Sequence, residues 1–309
     1  MSVMGANHLF EELETGAGLD IVIGLQSMSH PLLDALAGAM HVAGSDIFVV
    51  VLLLFIYWNL NRSLGARLIW ALIVAGVVAY VLKETFQRPR PFMVSDIVIP
   101  LFSLGSYGIP SGHVMTTLVV WGYLAVYLGR RWLYGLVFLY VGVVAWSRMY
   151  AGVHYPQDVV LGVLGGLVAL WALVSAFERF GGWWLTLNTA LRVGIVMITG
   201  VLLAVILQED ADGLAVAGFL IGAGPALALE RRTVRFRVDG TPRQHILRYV
   251  VGVVLALAIL LGLRALTPDE TVIVRLGRYA ITGLFIFWLW PWLAVKIGWM
   301  QSALVEPLD

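Results

Sequence analysis

Unbroken apolar runs recur along almost the whole chain, and nothing else in the sequence restricts its fold as strongly. A helix crossing a bilayer needs about 20 predominantly apolar residues. Nine windows approach that size: Asp46–Leu60, Leu64–Lys83, His113–Leu128, Trp132–Met149, Val159–Phe177, Ala190–Leu207, Leu214–Leu229, Tyr249–Leu266 and Gly277–Ile297. Strands of a membrane barrel alternate over about ten residues, so continuous runs read as helices. Charged residues are 13% of the chain, against about 25% in a soluble domain. That excludes an ordinary cytosolic domain, a disordered chain and a coiled coil. The absence of cysteine removes disulfide scaffolds and thiolate metal sites. The expected fold class is an all-α integral membrane protein, a polytopic helical bundle of about nine spans.

The connections alternate in charge. One set holds Arg62 and Arg67, then Arg130 and Arg131, then Arg179, then Arg231, Arg232, Arg235, Arg237, Arg243 and Arg248. The other holds Glu209, Asp210 and Asp212, then Asp269 and Glu270. The positive-inside rule puts the first set in the cytoplasm, the N-terminus outside and the C-terminus inside. The net charge of +1 is thus a cancellation between a basic inner face and an acidic outer one. Glu11, Glu12 and Glu14 precede the first apolar run, and no secretory signal peptide is visible. Apolar positions then recur at helical spacing (Leu25, Met28, Leu32, Leu36, Met40), interrupted by Ser29, His30, Pro31 and Asp34. Residues 1–43 therefore read as an extracytoplasmic, interfacial amphipathic segment; a tenth span there is the alternative.

Three polar clusters interrupt the apolar text, all at outer ends of spans. They are Lys83 with Arg90 and Pro91; Pro110-Ser111-Gly112-His113; and Ser147-Arg148 with His154 and Asp158. Three cations suit a dianionic phosphoryl group, with guanidinium forks giving bidentate contacts. Ser111 is placed as a helix N-cap and Gly112 allows close backbone approach, so the helix start points free N–H groups at an anion. His154 and Asp158, four apart, share a face if helical, and Pro156 is tolerated in a first turn. A carboxylate on one ring nitrogen leaves the other free as nucleophile or base. His113, from a different helix, is available as a general acid.

These residues resemble the type 2 phosphatidic acid phosphatase superfamily, whose motifs K-x6-R-P, P-S-G-H and S-R-x5-H-x3-D are matched at every position between Lys83 and Asp158. The resemblance implies a five-span phosphatase core, carrying the active site within residues 44–180. Residues 181–309 become an additional transmembrane region of unknown role. It implies phosphate ester or pyrophosphate hydrolysis through a phosphohistidine, with neither metal nor cofactor. By motif position His154 is the nucleophile, Asp158 its orienting partner, and His113 the acid and then the base. Lys83, Arg90, Ser111, Gly112 and Arg148 hold the phosphate. The nine-span, N-out layout is similar to that of glucose-6-phosphatase, a fold-level analogy that assigns no sugar substrate.

Other residues receive plainer readings. His8, His30, His41 and His245 read as interfacial polar residues, and Arg88, bordering the site, as either a contact for substrate headgroups or a lipid-facing or solvated side chain. The loop from Glu230 to Arg248 reads as a topology-fixing basic loop. Gly162-x-x-x-Gly166 and Gly218-x-x-x-Gly222 permit close helix contact, within the chain or across a homodimer. Trp288, Trp290, Trp292 and Trp299 read as interfacial anchors.

The expected function is hydrolysis of a lipid phosphate or pyrophosphate, such as undecaprenyl pyrophosphate, phosphatidylglycerol phosphate or phosphatidate. The expected setting is the outer face of a bacterial inner membrane. Membrane lipids are the partners, and no nucleic acid is involved. Two alternatives remain: a lipid phosphotransferase sharing the phosphoenzyme half-reaction, and a lipid transporter or flippase.

Overall fold

The computed structural model describes residues 10–102, 104–208, 211–268 and 271–303; His8, Glu209, Asp210, Asp269 and Glu270 lie outside them. The helices are α1 (Ala17–Gln26), α2 (Pro31–Ala43), α3 (Asp46–Phe55), α4 (Arg62–Phe86), α5 (Gly112–Leu128), α6 (Arg131–Tyr150), α7 (Pro156–Thr186), α8 (Thr189–Ile206), α9 (Ala211–Thr233), α10 (Pro242–Leu266), α11 (Val272–Leu284) and α12 (Trp290–Lys296). Helices close their own backbone hydrogen bonds, which a bilayer requires of every spanning segment. Proline opens α2, α7 and α10, where its missing N–H costs nothing. Gly129 ends α5 in the left-handed region, with φ of 62°.

Among the described residues, seven helical segments are long and apolar enough to cross a membrane unaided. Of the remaining two expected spans, α5 is an apolar helix of 17 residues. The other, Asp46–Leu60, reaches spanning length only jointly with α2, from which it is bent by 60°. The protein is an all-α, multi-pass membrane protein. Large apolar side chains such as Phe138, Trp171 and Ile273 stand exposed, as a lipid-facing surface demands.

The chain forms two compact units, the first comprising residues 1–50 and 67–177. Its core joins Val114 of α5, Val141, Val144 and Ala145 of α6, and Val159 of α7, with Met40 of α2 packed against them. Helices α5 and α7 meet through small residues. A Cβ on Gly162 would lie 3.0 Å from the Ser111 carbonyl oxygen, and one on Gly166 would lie 2.9 Å from the Leu118 side chain. The Gly162-x-x-x-Gly166 contact is thus made inside the chain. Helices α1 and α2 of the N-terminal segment are pinned to this unit. Val22 packs with Val98 and Tyr155, Gln26 donates to the Ile99 carbonyl (2.7 Å), and the Tyr150 hydroxyl donates to Asp34.

The second unit comprises residues 51–66 and 178–309. Here Gly218 and Gly222 face the backbone of Leu276 and Ala280 on α11, so this contact too is made inside the chain. Helices α3 and α11 each continue into a π-helical turn, Ile56–Leu60 and Phe285–Leu289. A π-turn breaks the regular hydrogen-bond register, and the Ile286 carbonyl accepts from the Trp58 indole (3.3 Å). Trp290 departs from its expected interfacial role. Only 2% exposed, it donates its indole N–H to the Arg248 carbonyl (3.1 Å). A two-residue antiparallel ribbon, β1 (Phe236–Arg237) with β2 (Gln301–Ser302), ties the basic loop to the C-terminal segment.

Candidate active site

The three sequence clusters meet within the first unit. Helix α4 ends just after Lys83; Arg90 precedes a single helical turn opened by Pro91; Ser111 precedes α5; Arg148 lies in the last turn of α6; and Asp158 lies in the first turn of α7. His154 sits in the connection between α6 and α7, ahead of the helix rather than on it. Its pairing with Asp158 therefore does not come from a shared helical face. Asp158 occupies the third position of α7, where a carboxylate reaches back to the N-cap amide, one half of a capping box. Its Oδ2 accepts from the Tyr155 N–H (2.9 Å) and from His154 Nδ1 (3.1 Å). The Asp158 carbonyl accepts from the Ser111 N–H (3.0 Å), joining the starts of α5 and α7.

With a proton on Nδ1, His154 Nε2 is an acceptor, and Arg90 Nη1 lies 3.1 Å from it. Arg90, 2% exposed, also donates to the Val153 carbonyl (2.8 Å), the Ser106 carbonyl (2.6 Å) and the Ser106 hydroxyl (3.0 Å). Lys83 donates to that same hydroxyl (3.0 Å). His154 is held well below the usual imidazole range, first by burial and then by the positive charges of Arg90, Arg148 and Lys83. It is a neutral ring in a cationic surrounding.

Arg148 is fully buried, and its Nε and Nη2 have no hydrogen-bond partner. The Ser111 hydroxyl and Asp158 Oδ1 are likewise buried without partners. Ser111 does occupy the N-cap position of α5, but its side chain does not cap the helix. Buried donors left unpaired each cost about 1–3 kcal/mol, and a cationic group of them is chemically suited to an anion. Gly112 adds no side chain at this helix start, and a Cβ there would meet nothing within 4 Å. Ser147 turns away and donates to the Val144 carbonyl (2.7 Å). Among the described residues, no group of three or more His, Asp or Glu side chains is placed to hold a metal ion.

Three residues outside the motifs join the cluster. Ser106 collects Lys83 and Arg90, and its only sequence signal is a short Gly-flanked polar stretch, Gly105-Ser106-Tyr107-Gly108. Arg88 is neither lipid-facing nor solvated. It forms an ion pair with Glu14, whose carbonyl accepts from the Tyr155 hydroxyl (3.1 Å). His41 is not merely interfacial. Its ring stacks on His113 at 5.3 Å between centroids, and its Nδ1 lies 3.0 Å from Arg148 Nη1.

A family model described as PAP2 superfamily matches residues 64–181, and one described as PAP2 superfamily phosphatase, transmembrane extension, matches residues 214–302. The chain belongs to the PAP2 superfamily. All three clusters fall inside the first PAP2 match. Sphingosine-1-phosphate phosphatase 1 of Rattus norvegicus is 26% identical over 146 residues, covering 44% of this chain and 34% of that protein. The chain thus spans about a third of that relative's length. The putative undecaprenyl-diphosphatase YbjG of Escherichia coli is 28% identical over 147 residues, covering 46% of this chain and 74% of that protein. The crystal structure of LpxE from Aquifex aeolicus aligns with 28% identity and a TM-score of 0.45, over 51% of this chain and 94% of that one.

Proposed function

We propose that this PAP2 protein is a membrane phosphatase that hydrolyses a lipid phosphate or diphosphate through a phosphohistidine on His154. The observation that carries the reading is the fully buried Arg148, with two unpaired guanidinium nitrogens, beside a neutral, Asp158-oriented His154. In this reading Lys83, Arg90, Arg148, Ser111 and the backbone at Gly112 hold the phosphoryl oxygens. His154 Nε2 forms a bond to phosphorus as the bond to the leaving oxygen breaks, and His113 Nε2 gives that oxygen its proton. His113 Nε2 faces the His41 carbonyl at 3.3 Å, consistent with a proton on that nitrogen. Asp158 keeps the Nδ1 proton in place and stabilises the imidazolium. Water, deprotonated by His113, then attacks phosphorus, releasing phosphate and free His154. Substitution at phosphorus draws on positioning and charge neutralisation, which a cluster of fixed cations supplies.

The setting and the relatives support a lipid substrate. A site among helix ends suits an amphiphile whose chain stays in lipid, and named relatives are phosphatases of sphingosine-1-phosphate and undecaprenyl diphosphate. The alternation of arginine-rich turns supports an extracytoplasmic site on a bacterial inner membrane. The test is phosphate release by the purified protein from a panel of lipid phosphates and diphosphates in detergent, with and without EDTA. Release unaffected by EDTA, with phosphate-label trapping on the wild type and none on His154→Ala, is the expected result. No release from any member of the panel would overturn the function. Full activity of His154→Ala would overturn the mechanism.

A further inference from the structure

Helix α2 lies upstream of residue 64, where the family match begins, yet it places an imidazole against the phosphate-facing arginine. His41 lies in its last turn. The ring stacks on Phe102, 4.0 Å away and inclined by 15°, and on His113, 5.3 Å away and inclined by 11°. Arg148 has its guanidinium carbon 5.7 Å from the centre of Phe102. Packed nearly parallel to two rings, the His41 ring can rotate little, so the direction of its Nδ1 lone pair is set.

That lone pair meets Arg148 Nη1 at 3.0 Å. A guanidinium only donates, so Nδ1 must be unprotonated and the ring neutral with its proton on Nε2. Which of the five donors it occupies matters. Nε and Nη2 share one edge of the guanidinium, the side-on fork that meets two oxygens of a phosphate or carboxylate in parallel. Nη1 points away from that edge. His41 takes Nη1 and leaves Nε and Nη2 unpaired. A neutral acceptor also leaves the guanidinium charge undiminished, whereas a carboxylate at this place would form an ion pair and compete with the substrate. The same residue's carbonyl lies 3.3 Å from His113 Nε2, and α2 reaches His113 again at Gly44, where a Cβ would lie 2.8 Å from the imidazole.

We propose that His41 is a positioning residue for phosphoryl recognition: a neutral, stack-clamped acceptor that turns the side-on fork of Arg148 toward the substrate phosphate without offsetting its charge. The N-terminal segment then completes the phosphate site. This inference rests on the phosphatase reading, and its test includes a measurement that needs no turnover.

Four variants separate positioning from packing. His41→Asn keeps a neutral acceptor near Nδ1 and discards the stack. His41→Phe keeps the stack and discards the acceptor. His41→Asp supplies a charged acceptor, and His41→Ala removes both. Each is assayed for kcat and KM on a lipid phosphate, for stabilisation by orthovanadate in thermal unfolding, and for unfolding temperature without ligand. Loss of a hydrogen bond to a charged group is worth about tenfold or more. His41→Phe and His41→Ala are therefore expected to lose about tenfold in vanadate affinity and in kcat/KM. His41→Asn should stay within about threefold of wild type, and His41→Asp should lose more than His41→Phe. The reverse order, with His41→Phe near wild type and His41→Asn impaired in step with its unfolding temperature, would show a packing residue and overturn the proposal. Vanadate affinity unchanged in all four variants would overturn it as well. A protein that binds vanadate with this pattern but hydrolyses no lipid phosphate would retire the phosphatase reading and leave the role of His41 standing.

Discussion

Arg148 and Arg248 are both fully buried in a chain with few charges, and the two units treat them in opposite ways. In the second unit every edge of Arg248 is used. It donates to the Asn59 side chain (2.6 Å), to the carbonyls of Asp239 (3.0 Å) and Val238, and to His245 Nδ1 (3.0 Å). Nearby in the same unit, Arg62 pairs with the buried Glu230, which also accepts from the Phe236 N–H (3.0 Å). In the first unit, Arg148 has one neutral partner and two unpaired nitrogens. The ingredients are alike: buried arginine, imidazole, carboxylate. A guanidinium whose nitrogens are all paired holds chain segments together, and one with two nitrogens unpaired is disposed to bind an anion. What separates these two arginines is the unspent hydrogen-bonding capacity of the guanidinium itself.

The largest effect that distinction predicts is at the imidazoles. His154 and His245 each lie within hydrogen-bond distance of an arginine, at 3.1 and 3.0 Å. If His154 is the nucleophile, His154→Ala lowers kcat by about a thousandfold or more, with an unfolding temperature close to that of wild type. His245→Ala should leave kcat within about twofold, because it removes one bond from a guanidinium whose three nitrogens all have other partners. Equal losses in the two variants would erase the contrast.

The arginines themselves give a crossed pair. Arg148→Met is expected to reduce kcat/KM by about a hundredfold, the worth of a charged bidentate contact, and to leave stability equal or raised, since buried unpaired donors disappear with it. Arg248→Met strands the acceptors of Asn59, Asp239 and Val238 and should lower stability by about 3 kcal/mol, with kcat retained in the folded fraction. Phosphate-release kinetics and denaturant unfolding in the same detergent measure both. A stability loss at Arg148 comparable to that at Arg248 would show that the first cluster is structural.

The sequence displayed the two clusters unequally. Apolar runs with arginine between them are dictated by the bilayer, so each expected span corresponds to a helix, including the short Gly112–Leu128. The residues of the first cluster are fixed by local chemistry at short spacing, which is why Lys83, Arg90, Ser111, His154 and Asp158 stand out in the text. The packing of His154 on Asp158 follows from a helix start rather than a helical face, a distinction that spacing alone does not carry. His41, Glu14 and Ser106 escaped because their roles arise from contacts 107, 74 and 23 residues away. A histidine within an amphipathic segment looks the same whether it meets water or a guanidinium. The saturated network was hidden for the same reason: Asn59 and Arg248 are separated by 189 residues.

A smaller effect tests how the first cluster is framed. Gly162 lets α7 approach the start of α5, with the Ser111 carbonyl 3.0 Å from where a Cβ would stand. Gly162→Ala must displace the start of α5 by a few tenths of an ångström, and misplacement of a binding group is costly to catalysis. The expected outcome is a roughly tenfold lower kcat/KM with a stability loss of about 1 kcal/mol. Gly222→Ala faces the Ala280 backbone in the second unit and should cost more stability than activity.

The smallest effect concerns protons. His154 is held below its ordinary value of 6.5 by burial and by Arg90, Arg148 and Lys83. The unfolded chain therefore binds a proton at this ring near pH 6.5 while the folded chain does not. By linkage, the folded state loses stability as pH falls below 6.5, with a slope of at most about 1.4 kcal/mol per pH unit, until the buried ring itself protonates. Above that pH both states are neutral and the contribution is flat. Replacing His154 with Gln, which cannot titrate, should flatten the decline between pH 6.5 and 5 by this amount, as read by thermal unfolding in detergent. For the free enzyme, kcat/KM should show no acid limb at 6.5 from this group, because the His154 ring is already deprotonated there.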